Sequence, residues 1–185
     1  MNTIKIFLAS SCELAYERMI IGDKIRQADD EWRAKDVRLQ LMVWEDYRPE
    51  FLGVRTQTEY DEYLVNESQI VIGLFKNRCG KYTQEEIVLA KRNNSENLHV
   101  FTLPADDGIN LVSDFLIKES IVAIKCSDID HVCSEVRNVI EDLSLRMNVT
   151  MLCRLIHLFP QTKYMLLYVL MPPNEVLNSV IWYAR

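Results

Sequence analysis

The chain has 185 residues, enough for one well-buried core and too few for two domains of ordinary size. With 49% hydrophobic and 26% charged residues, and only 5 Gly and 5 Pro, its composition is that of a soluble globular protein, which excludes fibrous and disordered classes. The net charge of -6 is spread along the chain and argues against a DNA- or RNA-binding surface.

The first element is Ile4 to Ser10 (IKIFLAS), a short apolar run bounded by polar residues, which predicts a strand buried on both faces. Its apolar run is short and no basic region precedes it, so it reads as a strand and not as a signal peptide. Ser10-Ser11-Cys12-Glu13 has the spacing of a capping box. A long helix follows, with Leu14, Ile21, Ile25, Ala28 and Trp32 on one side and Asp36 at its end. Val37 to Trp44 (VRLQLMVW) is a second strand, and EDYRPEFLGVRTQ, with Pro49 and Gly53, is a polar loop. Thr56 and Glu59 predict a second capping box, on a short helix whose Tyr60, Tyr63 and Leu64 face inward.

Ser68 to Phe75 is the most continuously apolar strand, which places it at the centre of a sheet. Thr83 to Arg92 is helical, and Thr83-Gln84-Glu85-Glu86 has the capping-box spacing at its start. Leu98 to Pro104 and Ser120 to Cys126 are the fourth and fifth strands. Ile129, Val132, Cys133, Val136, Ile140 and Leu143 form the stripe of a final helix. Five alternating units predict an α/β, flavodoxin-like three-layer sandwich: a parallel sheet of order 2-1-3-4-5 with helices on both faces and right-handed crossovers.

That domain is assigned to residues 1–146, and residues 147–185 form an apolar C-terminal extension outside the alternation. Arg154, His157, Gln161 and Lys163 interrupt the extension before the ~20 apolar residues that a bilayer requires, so no membrane span is expected. It is expected to pack as helices, to form an interface or to belong to a further region. The five cysteines (Cys12, Cys79, Cys126, Cys133 and Cys153) contain no C-x-x-C pair and fit reduced thiols in a cytoplasm.

In open parallel sheets ligands bind beyond the carboxyl ends of the strands, near the point where strand order reverses. Three segments lie there: Ala9-Ser10-Ser11, Trp44 to Tyr47, and Lys76 to Glu86. Neither G-x-G-x-x-G nor G-x-x-x-x-G-K-[ST] occurs, and the acidic positions of a phospho-accepting receiver domain are missing. His99, His131 and His157 are scattered along the chain, so a metal site or a histidine-based triad is not expected. A carboxylate after the third strand, hydroxyls after the first and aromatics around them suit cleavage of a glycosidic bond. Its oxocarbenium-like transition state is positive and is stabilised by a nearby carboxylate.

IFLASS, WED, QTEY (Gln57 to Tyr60), SQIVIGLF and GKYTQEE, followed by Ile87 and Ala90, together resemble a bacterial TIR-like domain over roughly residues 4 to 145. The family's helix carrying Glu-[Leu/Ile]-x-x-Ala is matched by Glu86-Ile87-Val88-Leu89-Ala90. The resemblance implies hydrolysis or cyclisation of NAD at the nicotinamide-ribose bond. Glu86 would be catalytic, with Glu85 as the fallback, and NAD would be a substrate in a reaction without metal or cofactor. Ser10, Ser11, Trp44, Tyr82 and Lys81 would shape or contact the nucleotide site, Lys81-Tyr82 standing where the family commonly has a Trp-Cys pair.

The loop of about Tyr47 to Thr56 would cover the site and meet a neighbouring subunit in an active homo-oligomer, in antiphage defence or signalling. Beside this stand the capping role of Glu86, a non-enzymatic TIR-type interaction module, and a nucleoside deoxyribosyltransferase-like enzyme with a nucleophilic glutamate.

Overall fold

The computed structural model describes residues 2–34, 36–43, 56–106 and 111–158. In chain order its main elements are β1 (Asn2–Ser10), α1 (Ala15–Arg33), β2 (Val37–Met42), α2 (Thr56–Asn66), β3 (Ile70–Phe75), α3 (Lys81–Asn94), β4 (Leu98–Thr102), α4 (Leu111–Lys118), β5 (Ala123–Lys125) and α5 (Ile129–Leu158). All four strand pairings are parallel and the sheet order is β2-β1-β3-β4-β5. This is the expected α/β fold of flavodoxin type. The strand order reverses between β1 and β3.

Every residue of β3 is buried, as its uninterrupted apolar run requires of a strand covered on both faces. Alternate side chains divide between the two faces. Phe7 and Ala9 of β1 and Val71 and Phe75 of β3 pack with Tyr63 and Leu64 of α2, Ile87 and Ala90 of α3, and Val112, Phe115 and Leu116 of α4. The alternate residues Ile6, Leu8, Ile70, Ile72 and Leu74 are equally buried and point to the other face. There α1 lies over Leu41 of β2, whose partner in the ladder is Ile6. Arg137 of α5 reaches Glu31 of α1 at 2.9 Å, which ties the start of α5 to that same side.

Gly73 sets how closely α3 approaches. A Cβ at this position would lie 2.6 Å from Ile87 Cδ1 and 3.3 Å from Val100 Cγ2. Only glycine lets Ile87 rest directly on the central strand, and that contact fixes the height of the residues flanking Ile87 on α3.

Several boundaries differ from the sequence-based expectation. The first helix begins after a 3-10 turn at Cys12–Leu14 and ends at Arg33, three residues before Asp36, which itself takes a left-handed φ of 59°. The fifth strand is only Ala123–Lys125, because Ser120 turns the chain with a φ of 51° and Ile121 donates back to the Leu116 carbonyl. Helix α4, for which no individual pattern was identified, supplies Val112, Phe115 and Leu116 to the core. Helix α5 carries the expected stripe, with Val132, Val136, Ile140 and Leu143 buried, and continues to Leu158.

The chain falls into two compact units, Met1–Asn138 and Val139–Arg185. Residues 159–185 of the C-terminal extension lie outside the described residues. Among the described residues no helix is long and apolar enough to cross a membrane.

Asp29 is an acidic residue on the buried side of α1, with 7% exposure. Its carboxylate accepts from the Leu39 amide at 2.7 Å, from Arg33 Nη2 at 2.7 Å and from Arg38 Nε at 3.3 Å. Burial alone raises its pKa, but the Leu39 amide and the two guanidinium groups more than offset it, and the net value lies below the ordinary 3.8. A depressed folded pKa contributes stability that is present above about 3.8 and is lost as pH falls through the folded value. Asp29→Asn should therefore lower stability by about 1–2 kcal/mol at neutral pH and flatten the acid side of the stability profile. Urea denaturation of both proteins at neutral pH and at pH near 3 would reveal an equal loss at both if this reading is wrong.

Candidate functional site

The carboxyl ends of β1 and β3 lie side by side, with Ser10 paired to Leu74 in the ladder. The chain leaves β1 through Ser11 and leaves β3 through Lys76 to Gly80. Glu13 joins these two exits. Its Oε1 accepts from the Asn77 amide at 3.1 Å, the Arg78 amide at 2.9 Å and the Ser11 hydroxyl at 3.2 Å. One carboxylate oxygen thus satisfies two backbone donors of a turn 64 and 65 residues away in sequence.

The Ser10 to Glu13 capping box is corrected accordingly. Ser11 stands at the N-cap of the 3-10 turn without a side-chain cap bond, and Glu13 serves the neighbouring loop instead of its own helix.

The same turn is held from the β4 side. Asn77 and Asp106 bond reciprocally, Nδ2 to Oδ2 at 2.9 Å and the Asp106 amide to Asn77 Oδ1 at 2.8 Å. Lys76 Nζ lies 2.7 Å from Asp106 Oδ1. The bond to Asp106 raises the Lys76 pKa, and the bonds to Lys76 and Asn77 lower that of Asp106. The Leu103 amide donates to the Phe75 carbonyl at 2.8 Å, which extends the ladder to the mouth of the turn.

The backbone that presents α3 is therefore fastened to both neighbouring strand ends. Glu13→Ala should lower stability by about 1–2 kcal/mol, because two amides lose a charged acceptor. Glu13→Gln keeps one oxygen as acceptor and should lose less, and a denaturation series in which both variants behave alike would refute the clamp.

The start of α3 also differs from expectation. The helix begins at Lys81, with Gly80 at the N-cap in an extended conformation (φ -61°, ψ 150°) and no side-chain cap bond. The Gln84 amide donates to the Gly80 carbonyl and the Gln84 side chain to the Cys79 carbonyl, each at 2.9 Å. Thr83 is buried inside the first turn, so the Thr83 to Glu86 capping box is not formed. Glu86 stands six residues beyond the true N-cap, half-buried, between the exposed Glu85 and the fully buried Ile87.

Glu85 and Glu86 differ in surroundings. Glu85 is 51% exposed, pairs with Lys81 at 3.8 Å, and lines a cleft of about 460 Å³ with Asp61, Val88, Arg92 and Phe115. Glu86 lies about 100° further round the helix.

The other sequence-predicted site residues are only partly brought together. Ser10 is half-buried and its hydroxyl accepts from Arg18 Nη1 at 2.7 Å. Ser11 is 7% exposed and already donates to Glu13, so its side chain is engaged within the protein. Tyr82 and Lys81 project from the first turn of α3, the tyrosine 63% exposed. Trp44, Glu45 and the loop to residue 55 lie outside the described residues, as do the side chains of Thr56, Glu59 and Tyr60. Cys79 is not a nucleophile by its surroundings: burial pushes its thiol up to about 12, against the lowering effect of Gln84, and it stays protonated at neutral pH.

In comparisons with known proteins the chain matches no family model and no curated protein. Two residues that organise this region escape a reading of pattern alone. Glu13 has capping-box spacing, which hides its long-range role. Arg18 falls four residues after Leu14 and three before Ile21, on the apolar stripe of α1, and a cation in that register is the signal that would have found it.

Proposed function

We propose that this protein is a TIR-like enzyme that cleaves the nicotinamide-ribose bond of NAD, with Glu86 as the catalytic carboxylate. The observation that carries this reading is Glu86 itself. It is half-buried on the helix that follows the central strand β3, one of the two strands between which the order reverses, and it is not the cap that its spacing suggested.

In the reaction the C1′–N bond breaks with its electron pair passing to the nicotinamide ring, which leaves as a neutral molecule and needs no acid. The ribosyl cation left behind is stabilised by the Glu86 carboxylate. Water then attacks C1′ and loses a proton, giving ADP-ribose, and attack by the adenine ring in its place would give the cyclic product. Ser10 at the end of β1 and Tyr82 and Lys81 at the start of α3 are the described groups within this reading that would border the nucleotide. The clamp made by Glu13 and Asp106 keeps the turn ahead of α3 in place and so reduces the reorganisation the carboxylate must undergo.

Nicotinamide release should be slow in dilute protein and rise with protein concentration or a crowding agent, since activity is assigned to the self-assembled form. Release is followed by chromatography against protein concentration. Absence of nicotinamide under every assembly condition would favour a non-enzymatic interaction module, and base exchange on deoxynucleosides would point to a transferase.

A further inference from the structure

On the face of the sheet opposite α3, a cleft of about 270 Å³ opens between α1 and the edge strand β2. Its walls include Arg18, Met19, Gly22 and Arg26 of α1 with Leu41 and Val43 at the end of β2. Arg18, Gly22 and Arg26 recur at intervals of four and so follow one another along one side of the helix. The glycine between the two arginines keeps the space open. A Cβ there would meet Leu41 Cδ2 at 3.5 Å and Arg26 Nη1 at 3.6 Å, ordinary contacts that a longer side chain would extend into the cleft.

The two guanidinium groups differ in a way that suits a ligand with a charged head. Arg18 is only 2% exposed, and its Nη1 donates to Ser10 Oγ and to the Ser11 carbonyl, each at 2.7 Å. It is therefore held in one orientation, in surroundings where Coulombic attraction is stronger than in water. Arg26 is 70% exposed at the side chain and pairs with Asp23 on the surface, so it can swing toward an arriving anion. Guanidinium forks match phosphate oxygens in geometry and charge. Met19, Leu41 and Val43 add an apolar wall beside them. The volume is close to the lower end of small-ligand sites.

We propose that this cleft binds a small phosphomonoester carried on an apolar or ring-shaped body, of the nucleoside monophosphate class, at a site separate from Glu86. Arg18 joins the cleft to Ser10 and Ser11, and Ser11 to Glu13 and the turn ahead of α3, so an occupant is coupled to the backbone that presents Glu86.

Titration calorimetry with AMP and with inorganic phosphate tests the site on the intact chain. AMP should bind more tightly than phosphate. Arg26→Glu, at an exposed position that need not disturb folding, should weaken AMP binding by about tenfold or more. Gly22→Leu, which fills the cleft from the helix side, should abolish it. Lys118→Glu, the same charge change on α4, should leave it unaltered. No binding of AMP to the wild type, or binding undiminished in Arg26→Glu and Gly22→Leu, overturns the proposal, since AMP held near Glu86 would ignore both changes. Equal affinity for phosphate and AMP overturns the apolar half of the site.

Discussion

Under the proposed function, Glu86→Gln should reduce nicotinamide release from NAD by about a hundredfold or more while leaving the protein folded. Glutamine keeps the shape and one acceptor oxygen but removes the negative charge proposed to stabilise the ribosyl cation. The stability change should stay under about 1 kcal/mol, because Glu86 lies outside the first turn of α3 and does not cap it. Glu85→Gln is the matched control. That carboxylate is half-exposed to water and paired with Lys81 at 3.8 Å, and its replacement should leave release nearly unchanged. Kinetics and thermal melting of the two variants separate the outcomes. Release that persists in Glu86→Gln, or falls equally in Glu85→Gln, would remove Glu86 from the reaction, and a large fall in melting temperature would make its role structural.

The second large effect is expected at Gly73. Gly73→Val should destabilise the domain by about 2–3 kcal/mol, since the new methyl groups enter space already filled by Ile87 and Val100. The change should also lift α3 from the sheet and displace Glu86, so that under the proposed function activity falls together with stability.

A double-mutant cycle isolates the contact. Gly73→Ala places its Cβ 2.6 Å from Ile87 Cδ1, an atom that valine lacks, so Ile87→Val should relieve the clash. The double variant should be more stable than the sum of the two single losses predicts, by about 0.5–1 kcal/mol in urea denaturation. Strict additivity would mean that Ile87 moves aside without resistance and that Gly73 does not set the height of the helix.

The layers and their order are written in the linear pattern of apolar and polar residues. The continuous burial of Ile6 to Ala9 in β1, the unbroken apolar run of β3 and the helical stripe of α5 each follow from local chemistry repeated along the chain. Five such units have few ways to pair, which is why the order 2-1-3-4-5 is legible in the linear pattern. The inward positions of Ile87 and Ala90, both fully buried, were legible too, and they place Glu86 beside the buried side of α3.

The partners of polar groups, by contrast, are set by the folded chain. Thr83 and Glu86 have the spacing of a cap, yet the bonds of Gln84 to Cys79 and Gly80 start the helix two residues earlier and bury Thr83. Ser10 and Glu13 have the same spacing, yet Glu13 finds unsatisfied amides on the neighbouring strand exit and leaves its own helix uncapped.

A capping pattern states which donors a carboxylate can reach locally. The fold adds donors from distant segments, and a charged acceptor goes where it satisfies most of them. Arg18 and Asp29 follow the same logic. Each stands on the buried side of α1, tolerable in a core only because Ser10 and Ser11 receive the one and Leu39, Arg33 and Arg38 surround the other. Hydrophobic pattern is a property of the chain, whereas hydrogen-bond satisfaction is a property of the assembled whole.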